Sequence, residues 1–326
     1  MGIIFFIDKV KRRVWSKIVT RSRKTVIYPY LYRSFWHYKF VKANKGINRG
    51  GYLAARPNPG AGIGHQMANW IAGYWWAKQF GLEFAHIPFS TSEWETFLGF
   101  GDGEKTVMGL IKDGYKKRTL PLFNENRTEE IESIKSIIKS YSGQKVIFVC
   151  EQDQFYKDQF GVKAEIQYKF YNTNARKDDQ LIYSANNYNI AIHVRRGDIV
   201  SGQENRNPNL LMRWQNNDYF VNVLANVLAF IKVDKPISIY LFSQGQKSDF
   251  EDFKHFPNLH FCLGMNAQDS FLHLVYSDLL ITSKSSFSYK PALLNRGLKV
   301  CPKDFWHSYP YAKDWILADE AGKLVL

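Results

Sequence analysis

Three short clusters in this 326-residue chain combine residue types and spacings that suit a phosphorylated ligand. The first is His193-Val194-Arg195-Arg196-Gly197-Asp198. An arginine fork grips phosphate through two parallel charge-assisted bonds, each worth roughly 1.5–3 kcal/mol. Asp198 would orient an arginine or close the turn; the plainer alternative is a strand-end ion pair between an arginine and Asp198. The second cluster is Thr282-Ser283-Lys284-Ser285-Ser286-Phe287-Ser288. Hydroxyls and unpaired backbone N–H groups at a helix start form an anion cradle, and ordinary N-capping by Ser285 or Ser286 is the alternative. The third is Gly60-Ala61-Gly62-Ile63-Gly64-His65-Gln66. Its glycines would let backbone approach a ligand closely, although the spacing is wrong for the dinucleotide pattern G-x-G-x-x-G, and a structural turn into a helix explains it equally well. Asp-x-Asp, HExxH, Walker A and Gly-x-Ser-x-Gly patterns do not occur in the chain.

Positioning these clusters requires strands that end at them and helices that begin after them. Residues 51–55 read as a strand, 65–80 as a helix from its apolar spacing, with Gly81 as its stop, and 82–87 as a strand. Residues 129–139 form the next expected helix and 145–150 the next strand, whereas 90–125 give no clear signal. A second unit is expected from about residue 185. Its strands are 189–194, 237–242, 259–263, 278–282 and a short last one from Val300. Its helices are 218–231, capped by Asn217 or Asp218, then 248–256, 269–276 and 285–295. Strands alternating with helices predict an α/β protein with two doubly wound parallel sheets, 50–184 and 185–326. Ligands of such sheets bind outside the carboxyl ends of the strands, where the clusters fall.

Composition narrows the class. Hydrophobic residues make up 45% and charged residues 23% of the chain, close to ordinary globular proportions, which excludes disorder, collagen and coiled coil for the whole. Cys150, Cys262 and Cys301 are widely separated and odd in number, which excludes a disulfide framework and a CxxC zinc site and suits a reducing compartment. The net charge is +14, and residues 1–49 hold thirteen Lys and Arg against the single acid Asp8. The remainder is therefore nearly neutral and has no basic stripe for nucleic acid. The arm also carries Tyr28, Tyr30, Tyr32, Phe35, Trp36, Tyr38 and Phe40. Such rings settle at the headgroup level of a bilayer, and each Lys or Arg adds about 1 kcal/mol at an anionic surface. Residues 1–45 are accordingly expected to bind an anionic membrane surface, with a cytoplasmic, inner-face location. A solvated tail packed on the body is the alternative. No run of 18 apolar residues occurs, so no transmembrane helix is expected.

Taken together, the clusters resemble the motifs of the α-1,2-, α-1,6- and O-fucosyltransferases. His193-Val194-Arg195-Arg196-Gly197-Asp198 looks like their HxRRxD element, Gly62-Ile63-Gly64-His65-Gln66 is similar to their Gly-x-Gly-Asn-Gln loop, and the Ser283–Tyr289 segment resembles their Ser-rich turn before a helix. The resemblance spans residues 50–300. It implies a GT-B fold of two facing Rossmann-like domains, GDP-fucose as donor, a glycan hydroxyl as acceptor, inversion at the anomeric carbon and no metal or other cofactor. It further implies that Arg195 holds the β-phosphate and stabilises the leaving GDP. His193, Arg196, Asp198, Gly62, Gly64, Ser283, Ser285 and Ser286 would line the donor, and Asp269 would read guanine N–H groups. His65 replaces the family's asparagine. A histidine, with an ordinary pKa of about 6.5, can accept the acceptor hydroxyl's proton; a bond to backbone at the helix start is the alternative. Glu204, in the polar loop 199–213, is a second candidate base. Two other functions fit the same clusters: a GT-B transferase of a different nucleotide sugar, or a nucleotide- or glycan-binding protein without turnover.

Overall fold

The computed structural model describes residues 51–325 apart from 59, 140, 151–157, 198 and 201–207, and seven positions between 14 and 27. Most of the basic aromatic arm, Asp198 and Glu204 thus lie outside the described residues. Among those described, no helix is long and apolar enough to cross a membrane.

In chain order the first elements are β1 (Tyr52–Ala55), α1 (Ile63–Gln79), β2 (Glu83–His86), α2 (Ser92–Leu98), β3 (Lys105–Thr106), α3 (Val107–Lys112), β4 (Lys116–Thr119), α4 (Thr128–Lys139) and β5 (Val146–Cys150). There follow α5 (Lys163–Asn172), β6 (Tyr188–His193), α6 (Pro208–Leu211), α7 (Asn217–Phe230), β7 (Ile237–Phe242), β8 (Leu259–Cys262), α8 (Ala267–Tyr276), β9 (Leu279–Ile281), α9 (Ser286–Leu294), β10 (Leu298–Pro302), β11 (Trp315–Ala318) and β12 (Leu324–Val325). The chain forms two compact units. Each is an α/β layer structure on a parallel-dominated sheet, the architecture expected from the sequence.

Among the described residues, the smaller unit comprises those within Met1–Arg56, Ala72–Ile87 and Glu104–Tyr156. Its sheet has the order β3-β2-β1-β5-β4, with every pairing parallel. Strand β5 reads Val-Ile-Phe-Val-Cys and is buried along its whole length, as a parallel strand covered on both faces must be. The edge strand β4 is Lys-Lys-Arg-Thr; its charges blunt an otherwise open edge. Helix α1 approaches β1 so closely that a methyl group on Gly73 would lie 2.4 Å from the Cβ of Ala55.

The larger unit comprises Pro57–Ile71, Pro88–Gly103 and Lys157–Leu326. This departs from a single boundary at residue 184, because three earlier segments pack with the later chain. Trp94 and Phe97 from α2 meet the Phe271 ring at 5.6 and 5.8 Å. Gln167 of α5 donates to the Leu293 carbonyl at 3.0 Å. The sheet order is β12-β11-β10-β9-β6-β7-β8, parallel except for the β11–β12 pair. Ile190, Ile192, Ile239, Leu241, Leu279 and Ile281 of the central strands form the core with Phe220, Val223 and Leu224 of α7. Chain order runs outward from β6 through β7 to β8, then returns to β9 on the other side of β6. The topological switch point, where open α/β sheets bind ligands, therefore lies between β6 and β9.

Local chemistry sets several boundaries differently from the sequence pattern. Asn216, rather than Asn217 or Asp218, caps α7 by accepting from the Tyr219 N–H at 3.0 Å. Helix α8 starts at Ala267 because Asn266 supplies the cap, accepting from the Asp269 N–H at 2.9 Å. The expected helix at 248–256 is a 3-10 segment, Lys247–Phe253, kinked at Phe250. All three cysteines are free thiols.

Candidate functional site

The site stands at the carboxyl ends of β6 and β9, on both sides of the switch point. Parallel pairing aligns Ile192 with Ile281, and just beyond the strand ends side-chain bonds join the two segments, shifted by one residue from that register. His193 Nδ1 lies 2.8 Å from Ser283 Oγ. Two residues on, Arg195 Nη1 donates to Ser285 Oγ at 3.3 Å. The structure therefore brings together two clusters 90 residues apart in the chain.

His193 is buried, and its pKa falls to about 3, chiefly through burial and then through the Arg195 and Arg196 charges. It is a neutral imidazole under ordinary conditions. Its ring lies 5.4 Å from that of Phe287. Ser285 caps α9, its Oγ accepting from the Phe287 N–H at 3.2 Å. The helix N-terminus, with its partial positive charge, thus sits beside the Arg195 guanidinium. Ser283 is held deeper: its N–H donates to Ser288 Oγ at 3.2 Å. Ser286, at the first turn of α9, is buried.

The two adjacent arginines do different work. Arg195 is partly exposed and lines a pocket of about 480 Å³. Arg196 also borders that pocket, but its guanidinium is committed to protein. It donates to the carbonyls of Arg195 and Gln215 at 2.9 and 3.0 Å, and to Asn217 Oδ1 at 2.7 Å. It also lies over the Trp214 ring, 4.3 Å from its centroid. Burial lowers its pKa to about 10, partly offset by Asp249. Three of its bonds thus brace protein acceptors, two of them on the segment that carries Gln215 and Asn217, while the side chain still borders the pocket. Gly197 adopts φ +69°, and a methyl group there would strike Gln244.

The pocket is walled by Phe242, Met265, Ala267 and Phe287, with polar atoms from Ser243, Gln244 and Ser270. Apolar walls with a few convergent polar groups and a cation at one end suit a nucleotide, and the volume is within the usual range for ligand pockets. Asp269 is exposed and is not part of this wall. Its carboxylate accepts from Asn266 Nδ2 at 2.7 Å, and its carbonyl lies 2.6 Å from His273 Nδ1. It thus serves the start of α8.

The glycine cluster reaches the same neighbourhood through its backbone. A methyl group on Gly64 would come within 2.8–2.9 Å of Ser286. The absence of a side chain at Gly64 is what allows α1 to approach the first turn of α9 this closely. Gly62 is exposed, with open space around its missing methyl. Gln66 fixes the loop: Nε2 donates to the Ala61 carbonyl and to Ser90 Oγ, and Oε1 accepts from the Ser90 N–H. His65 is half-buried, and its charge is among the causes that depress the pKa of His307. Sequence reasoning missed Gln215, whose Oε1 accepts from the Lys284 N–H at 2.7 Å; a lone glutamine in a loop carries no signal of that role. Among the described residues, no group of three or more His, Cys, Asp and Glu is placed to hold a metal ion.

No protein-family model matches the chain, and no curated protein matches it. Among solved structures it is similar to the NodZ α-1,6-fucosyltransferase co-crystallised with GDP, with a TM-score of 0.46 at 13% identity, covering 85% of this chain and 98% of that one. A second NodZ structure, from Bradyrhizobium, gives 0.44 at 12% identity, covering 76% and 94%. A mutant of Arabidopsis thaliana FUT1 in complex with GDP gives 0.47 at 10% identity, covering 93% and 79%.

Proposed function

We propose that this protein is an inverting glycosyltransferase of GT-B type that transfers L-fucose from GDP-fucose to a glycan hydroxyl without a metal ion. One observation carries the reading: across the switch point, Arg195 meets the capped N-terminus of α9 through Ser285, beside a nucleotide-sized pocket. The acceptor oxygen attacks the anomeric carbon, and the bond from that carbon to the diphosphate oxygen breaks. Its electron pair leaves with GDP, and the hydroxyl proton passes to a base. Negative charge grows on the diphosphate as the bond breaks. Fixed donors at that point favour the transition state over the bound donor.

In this reading Arg195, Ser285 and the α9 N-terminus take the phosphates. His193 Nδ1 shares a hydrogen bond with Ser283 Oγ, and its neutral imidazole borders the pocket. His65 is the proposed base, with Glu204 as the alternative. The choice of fucose and guanine rests on the motif resemblance; the site supports a nucleoside diphosphate sugar. Thermal shift with GDP, UDP, CDP and their sugars tests the donor, since each nucleotide raises stability according to its affinity. GDP and GDP-fucose should give the largest shifts. A preference for another base overturns the donor assignment, and tight GDP binding without sugar release points to a binding protein.

A further inference from the structure

A second pocket opens on the same edge of the larger sheet, at the carboxyl ends of β9, β10 and β11. Its volume is about 280 Å³, and its walls include Lys284, Pro302–Asp304 and Ala318–Glu320. This is at the lower limit for ligand pockets and suits one sugar ring better than a nucleotide. We propose that this pocket binds a neutral saccharide, as the subsite for the acceptor. The inference rests on the glycosyltransferase reading above.

Three features point to that ligand class. First, Trp214 lines the pocket. Indole offers an apolar surface on which the C–H face of a pyranose can lie, and the Arg196 guanidinium over the ring fixes its orientation. Second, the polar lining mixes signs: Lys284 and Lys303 border the pocket together with Asp304 and Glu320, and with Asp319, whose Oδ1 accepts from the Ala321 and Lys323 N–H groups. The near balance disfavours a phosphate or another strongly charged ligand. Carboxylates accept from hydroxyls and ammonium groups donate to them, so a polyol satisfies both. The carboxylates do not form a metal cluster either: no such group occurs among the described residues.

Third, the pocket is coupled to the donor site by the Gln215 strap. The Gln215 carbonyl accepts from Arg196, and its side chain accepts from the Lys284 N–H, one residue before Ser285. Gln215 and Lys284 themselves line the second pocket.

The test uses the full chain, with and without GDP, titrated calorimetrically with the methyl glycosides of glucose, galactose, mannose and N-acetylglucosamine. At least one should bind, and the double variant Asp304→Asn/Glu320→Gln should weaken it at least tenfold while the Kd for GDP stays within twofold. Both side chains are exposed, so the variant is expected to fold. Binding by none of the four, or equal binding by the double variant, overturns the pocket assignment. Loss of GDP binding in the wild-type chain with saccharide binding intact supports the pocket while refuting the donor reading.

Discussion

Replacing Arg195 by alanine separates chemistry from stability. Two charge-assisted bonds from one guanidinium to a diphosphate are worth about 3–4 kcal/mol in the transition state, less whatever water recovers. At about 1.4 kcal/mol per tenfold, kcat for GDP release from GDP-fucose should fall 10²–10³-fold, the range found when one oxyanion donor is removed. The fold should barely respond. Arg195 is partly exposed, and its bond to Ser285 is long, at 3.3 Å. A loss of about 1 kcal/mol lowers Tm by roughly 2–4 °C in a protein of this size class. Arg195→Lys keeps the charge but loses the fork, so its turnover should fall between the two. The assay is coupled detection of GDP at saturating donor, with Tm measured on the same preparations. Full activity of Arg195→Ala would refute the argument, as would a large collapse of Tm matching the loss of turnover.

The neighbouring substitution should behave oppositely: Arg196→Ala strands three buried or half-buried acceptors and frees Trp214, and should cost about 3 kcal/mol in urea unfolding. His193 and His307 are held neutral, with pKa values of about 3 and about 2. Between those values and about 6.5 the unfolded chain binds more protons, so stability falls with pH below 6.5 by about 1.4 kcal/mol per unit for each histidine. His193→Asn should remove one such slope from the pH dependence of the urea midpoint, and an unchanged slope would show that His193 titrates normally. Gly64→Ala should destabilise by about 1–3 kcal/mol through overlap with Ser286, whereas Gly62→Ala should be near neutral; equal Tm values for the pair would contradict the packing described. Removal of residues 1–49 should abolish flotation with anionic liposomes, and equal flotation of both proteins would dismiss the membrane role of the arm.

Much of the larger unit was legible in the sequence, because its strands are short apolar runs bounded by turn residues, and its helix caps are asparagine and serine. What escaped had no such pattern. Strand β4 is Lys-Lys-Arg-Thr and carries no apolar side chain, so hydrophobic periodicity could not find it. Helices α2 and α5 are short and mixed, and owe their place to aromatic contacts such as Phe97 and Phe170 against Phe271. For the same reason the unit boundary was misplaced: contacts between distant segments leave no local trace. The last strand of the sheet was expected from Val300, but β11 and β12 continue beyond it.

Arg195 and Arg196 meet different partners. Successive residues of an extended chain point to opposite sides, and although the strand itself ends at His193, residues 193 and 195 keep one set of hydrogen-bond partners and 196 takes another. The side-chain bonds follow that rule: His193 to Ser283 and Arg195 to Ser285 step in parallel by two residues on both segments. Arg196, turned the other way, meets Gln215, Asn217 and Trp214. A phosphate site at a parallel switch point needs only alternate residues of each strand end. The intervening arginine is free to build the support, and here it fixes the loop whose Gln215 holds the backbone of Lys284, directly ahead of the cap at Ser285.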